Sequence, residues 1–153
     1  MQRLKILNTR DLKEIRNKLK EQFDYDYQED YAFLMNEKGR IYIINKDLSR
    51  VDFKKLRVDK FGLYFGELRN QEVRLSMEGA WLVGKKAKKN VIDITKEEVK
   101  KYFLGESLNQ DLGQVNRFVL LKYDQDVFGC AKYKNKTILS ILPKIHRSKD
   151  LII

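Results

Sequence analysis

RFVLLKYDQDVFGCAKYKNKTILSIL, residues 117–142, decides how the rest of the chain reads. Its three runs, RFVLLKY, VFGCAKY and TILSIL, are rich in β-branched and aromatic residues. The turn groups Asp124-Gln125-Asp126 and Lys134-Asn135-Lys136 separate them, and such residues reverse a chain over a short span. Consecutive runs spaced this way predict a meander of antiparallel strands. Pro143 has no amide hydrogen to give to a ladder and is expected to stop the last strand.

Upstream, VIDITKEEVKKYFLGE (residues 91–106) holds the clearest local signature. Thr95 and Glu98 have capping-box spacing, and Ile94 with Val99 has the spacing of a hydrophobic staple. The helix should run to about Leu104 and end at Gly105, and SLNQDLGQVN (107–116) reads as a loop.

Further back, NTRDLKEIRNKLKEQF (8–23) repeats Leu12, Ile15, Leu19 and Phe23 at helical spacing, with Asn8 or Thr9 as cap. YAFLMN and RIYIIN flank EKG, where Gly39 offers the positive φ of a tight hairpin turn. FGLYFGEL (61–68) and VRLS (73–76) form a second strand pair around Arg69-Asn70-Gln71. Ser76 caps a short helix, MEGAWLVG, closed by Gly84. Trp81 within it reads as core or interdomain packing in preference to base stacking. The polar joint KKAKK (85–89) divides the chain into residues 1–89 and 90–153. A helix followed by strands in the second part points to a small barrel with a helix over one opening.

The chain has 153 residues, with 32 Lys or Arg, 22 Asp or Glu and a formal net charge of +10. At 42% hydrophobic, with one Pro and eight Gly, it is too apolar for a disordered basic tail. No apolar run nears the roughly 20 residues of a membrane-spanning helix, and the start MQRLKILNTRD lacks the features of a signal peptide. A soluble, cytoplasmic α/β or β-rich protein is expected, with no membrane partner. One cysteine, Cys130, allows no intramolecular disulfide, and one histidine, His146, makes no zinc site. Cys130 between Gly129 and Ala131 reads as a buried small hydrophobe rather than a reactive thiol. Asp124 and Asp126 read as turn residues, and Asp24 to Asp30 lack the glycine and terminal glutamate of an EF-hand. No catalytic or metal-ligating constellation emerges, so neither an enzyme nor a cofactor is expected.

The positive charge is unevenly placed. Lys85, Lys86, Lys88 and Lys89 cluster in five positions. From Val127 to Lys149 stand Lys132, Lys134, Lys136, Lys144, Arg147 and Lys149 without an acidic residue. Asp24, Asp26, Glu29 and Asp30 form an acidic stretch, expected to lie away from a binding face. RNA binding needs cations for phosphates and planar groups for unpaired bases. Lys85–Lys89 read equally as phosphate contacts or as a solvated loop. Lys132, Lys134 and Lys136 alternate, so they share a face or edge. Tyr102 and Tyr133 read as packed in preference to stacking.

FGLYFGEL, VRLSMEGAWLVG, a helix ending in LGE, and RFVLLKYDQDVFGCAKYKNK in that order resemble archaeal two-domain PUA proteins. They are also similar to eukaryotic pre-ribosome assembly factors with the same layout. FGCAKYKN and the PKIHR ending are similar to PUA-like domains of Fmu/Sun-type RNA cytosine-5 methyltransferases. The resemblance spans about Leu7 to Arg147. It implies an α+β chain: an α/β pre-PUA domain, then a PUA pseudo-barrel of mostly antiparallel strands that binds RNA. It sets helix 96–104, with Lys100 and Lys101, and the Gly105 turn beside the RNA groove. Pro143 to Arg147, with Lys144, corresponds to the closing strand and its exit. The loop 106–116 departs from the more glycine- and aspartate-rich turn of many members. There is also no glycine-rich cofactor loop and no Pro-Cys nucleophile motif of the kind those methyltransferases use.

The function so implied is binding of rRNA or tRNA, without catalysis, in ribosome biogenesis, rRNA processing or RNA modification. The alternative is a protein–protein adaptor that meets an assembly or RNA-modification partner through the basic face or through the apolar GAWLVG and FGLYFGEL segments.

Overall fold

The computed structural model describes residues 4–26, 31–45 and 62–142. The elements run β1 (Leu4–Ile6), α1 (Thr9–Phe23), β2 (Tyr31–Asn36), β3 (Arg40–Asn45), β4 (Leu63–Arg69) and β5 (Glu72–Leu75). They continue with α2 (Met77–Gly84), β6 (Val91–Asp93), α3 (Lys96–Phe103), β7 (Leu108–Asn109), β8 (Arg117–Tyr123), β9 (Asp126–Lys134) and β10 (Thr137–Ser140). The chain is α+β.

Two five-stranded sheets each draw their strands from one half of the chain. The first has the order β1-β2-β3-β4-β5, antiparallel throughout. The second has the order β6-β8-β9-β10-β7, antiparallel except where β6 runs parallel to β8. The meander over 117–142 is therefore present, with register Val119↔Ala131 and Ile138↔Tyr133. Its turns use positive φ at Asp124, Asn135 and Lys136, and asparagine and aspartate tolerate that conformation better than most residues. Three short strands carry no pattern that predicts them. β1, β6 and β7 span two or three residues each and exist because a longer strand offers an unpaired edge.

The predicted caps form. Asn8 accepts from the Asp11 amide at 2.8 Å, and Ser76 from the Gly79 amide at 2.9 Å. Thr95 and Glu98 exchange both capping-box bonds, at 3.2 and 2.9 Å. α1 buries Ile15, Leu19 and Phe23 and leaves its basic face outward.

Strand alternation sorts the core. In the first sheet Phe33, Ile41 and Ile43 face α1, while Ala32, Leu34 and Ile44 bury into a second cluster on the opposite face. In the second sheet Phe118, Leu120 and Cys130 join the core of the first half, whereas Val119, Leu121, Ala131 and Tyr133 pack with Val99 and Tyr102 of α3. That two-sided burial is why residues 118–121 are all apolar. One apolar core thus crosses the joint between halves.

α2 makes that crossing. Apart from the exposed Glu78 its residues are apolar, and its small residues decide which side is covered: Gly79, Ala80 and Val83 are buried. A Cβ on Gly84 would run into the Val127 side chain of β9, so glycine lets helix and strand approach closely. The opposite side carries Trp81, which is 49% exposed. The expectation is that Trp81 packs in the core or between domains; half of it is instead exposed, because the close contact takes small side chains and the largest one is left outside.

Candidate nucleic-acid interface

Among the described residues, the cations singled out by sequence fall into three places. The first is the rim of the second sheet. α3 ends with Lys100 and Lys101 exposed, and Leu104 caps it. Gly105 follows at φ 81°, its amide donating to the Tyr102 carbonyl at 3.0 Å. β7 then carries the chain along β10, pairing Asn109 with Thr137. The Gln110 amide donates to the Lys136 carbonyl at 3.1 Å, and the Asn135 amide to Oδ1 of Asn116 at 3.3 Å. The sheet edge therefore sets the loop after Gly105 against the turn that bears Lys134 and Lys136, both exposed.

The loop over 106–116 is held in place from beneath. The Tyr133 hydroxyl donates to the Gly113 carbonyl at 2.7 Å and accepts from the Leu112 amide at 2.9 Å. Arg117 Nη1 donates to the carbonyls of Val115 (2.8 Å) and Leu112 (3.3 Å), and its guanidinium lies 5.2 Å from the Tyr133 ring centroid. Tyr133 and Tyr102 are fully buried, so neither ring is open to a base. Tyr133 and Arg117 are positioning residues for this loop. The signal for them in sequence was weak, because each lies in an ordinary strand run.

Lys132 occupies a second place. It points to the face of β9 that meets the first half, where Nζ lies 3.5 Å from a Glu72 carboxylate oxygen and 4.4 Å from the Phe118 ring centroid. It shares parity with Lys134 but its charge is matched across the seam. Lys144 and Arg147 lie outside the described residues, as do His146 and Pro143.

The third place is the lysine joint, which is docked on the C-terminal end of α1. The amides of Lys88 and Lys89 donate to the Phe23 carbonyl at 3.0 and 3.2 Å, and Lys89 Nζ donates to the Glu21 carbonyl at 2.9 Å. Unpaired carbonyls at a helix C-terminus attract cations. Lys85 lies over the Trp81 ring, 3.5 Å from its centroid. Asp24 and Asp26 line the same hollow as Lys85, Lys86 and Lys88. Asp24 and Asp26 are therefore beside this lysine cluster, contrary to the expected separation, because α1 delivers its C-terminus to the joint; Glu29 and Asp30 lie outside the described residues. Lys20, 2.8 Å from Asp24 and 3.2 Å from Asp26, answers both carboxylates; its hydrogen bond holds the Asp24 carboxyl below the usual range.

Asn90 ties the joint to the second sheet. Its Nδ2 donates to the Gln22 carbonyl at 2.6 Å, its Oδ1 accepts from Arg117 Nε at 2.8 Å, and its carbonyl accepts from the Leu120 amide at 2.8 Å. Arg74 Nη2 spans the halves elsewhere, donating to the Ile141 carbonyl at 3.0 Å.

Cys130 is fully buried and burial pushes its thiol up to about 12, so it is a packed hydrophobe. Of the apolar segments an adaptor would offer, Phe65, Gly79, Ala80 and Val83 are buried, Leu63, Leu68 and Leu82 are half-buried, and Tyr64 and Trp81 are exposed. Among the described residues no helix is long and apolar enough to cross a membrane.

No curated protein matches the chain. Residues 89–148 match the family described as the methyltransferase RsmF PUA domain, so the second sheet and its helix are similar to that domain.

Proposed function

We propose that this protein is a non-catalytic RNA-binding factor that uses its PUA-like half to dock rRNA or tRNA during ribosome biogenesis, rRNA processing or RNA modification. The observation that carries this reading is the similarity of residues 89–148 to a methyltransferase PUA domain, on a sheet whose rim presents Lys100, Lys101, Lys134 and Lys136. Four exposed lysines around a glycine turn and an anchored loop suit a phosphate backbone, because each neutralised phosphate releases a counterion. Tyr133 and Arg117 hold the loop in advance, which lowers the ordering cost of binding.

The test is titration of labelled tRNA and of an rRNA fragment at several salt concentrations. The full chain should bind with a steep salt dependence. Alanine at Lys100, Lys101, Lys134 and Lys136 together should lower the log–log salt slope by about 0.7–0.9 per lost phosphate contact. Absence of binding, or an unchanged slope in the variant, rejects the assignment.

A further inference from the structure

Trp81 stands on the outside of α2, opposite the buried Gly79, Ala80 and Val83, and it is the chain's single tryptophan. Half of its surface meets solvent, a large share for so large an apolar group. One helical turn on, Lys85 places its ammonium on the ring. Lys85 and Lys86 also stand at two adjoining hollows. One is a cavity of about 180 Å³ with Tyr25, Tyr31, Phe65 and Leu82 in its wall. The other is an open hollow of about 490 Å³ that Lys88 shares. Asp24 and Asp26 border it and Lys20 bridges both, so one of the two carboxylate charges is offset by Lys20 and the lysines lining the hollow outnumber the one that remains. A concave cationic surface concentrates an attractive field for anions.

We propose that Trp81 with Lys85, Lys86 and Lys88 forms a second nucleic-acid contact, on the first half of the chain, that takes a single-stranded segment: an unpaired base stacks on Trp81 while its flanking phosphates meet the lysines. This rests on the RNA-binding reading above and extends it to residues just before the PUA-like region, which begins at residue 89. The chemistry selects single strands, since a ring on a convex helix surface reaches a base only when that base is unpaired. Lys85 serves two states. It covers the ring in the free protein and turns to a phosphate when a base takes its place.

The experiment uses the full chain, an oligouridylate of about ten nucleotides and, as a charge-only control, inorganic polyphosphate. Because Trp81 is the sole tryptophan, its emission reports this place and no other. Saturating oligouridylate should quench the emission, and polyphosphate should not. Followed by anisotropy of the labelled oligonucleotide, Trp81→Ala should bind roughly tenfold more weakly, with Trp81→Phe restoring most of the loss. Oligouridylate that binds while the emission stays unchanged overturns the proposal and leaves the RNA-binding reading standing. Equal quenching by polyphosphate also overturns it, since charge alone would then suffice. If neither oligouridylate nor the structured RNAs bind, both readings fall together.

Discussion

The Tyr102 hydroxyl donates to the Cys130 carbonyl oxygen over 3.0 Å, and the ring lies directly above Gly129. A Cβ built on Gly129 would come within 2.8 Å of that hydroxyl oxygen and 3.1 Å of the ring carbon bearing it. The strand can therefore carry no side chain there while α3 keeps its place. Gly129→Ala should destabilise the fold by about 1–3 kcal/mol through overpacking. Tyr102→Phe removes the nearest atom, so the double variant should lose less than the two single losses added. Chemical denaturation of the four proteins measures this; strict additivity would show that the contact is not the cause.

Stability should fall on the alkaline side. Burial holds the Cys130 thiol at about 12 against 9.0 for an unperturbed thiol, and burial also raises the Tyr102 phenol. Above about pH 9 the unfolded chain gives up a thiol proton that the folded chain keeps. The unfolded state then binds fewer protons, so each pH unit costs up to about 1.4 kcal/mol from this group. Below that range the term vanishes. Cys130→Ala should flatten the early part of the decline in denaturation curves taken across the alkaline range, and an identical slope would exclude the thiol as its source.

Asn90 combines a left-handed backbone, φ 59°, with hydrogen bonds to both halves. Asn90→Ala loses the side-chain bonds and strains the backbone, while Asn90→Gly loses the bonds alone. The alanine variant is expected to be less stable than the glycine variant by about 1 kcal/mol, with both well below the parent. Thermal melts rank the three; a glycine variant as weak as the alanine one would assign the effect to the hydrogen bonds only.

Lys132 should behave unlike Lys134 and Lys136. Its ammonium is matched by Glu72 and rests on Phe118, at a site about one-third exposed. Lys132→Ala is expected to cost about 0.5 kcal/mol of stability and to leave the salt slope of RNA binding almost unchanged. Alanine at Lys134 and Lys136 should do the reverse. Parallel melts and salt titrations separate the two cases.

Much of this was legible because the signals are local. The meander over 117–142, the hairpin at Gly39 and the caps at Asn8, Ser76 and Thr95 each depend on residues within a few positions. The exposure of Lys100, Lys101, Lys134 and Lys136 was legible as well, since cations at turns and helix ends stay in water. What escaped depended on a partner distant in the chain. β1, β6 and β7 are too short for any periodicity, and Tyr133 gave no sign that its hydroxyl holds a loop twenty residues away.

The amino-acid order by itself determined the elements, their ends and the net surplus of positive charge, because caps, turns and alternation act over one or two turns of chain. Only the tertiary structure decided where each charge and each large ring is spent. It matched Lys132 to Glu72, brought Asp24 and Asp26 to the lysine joint, and set Trp81 outside because Gly79 lets α2 approach β4 and Gly84 lets it approach β9. Those outcomes follow from close packing between distant segments, which no short window of sequence contains.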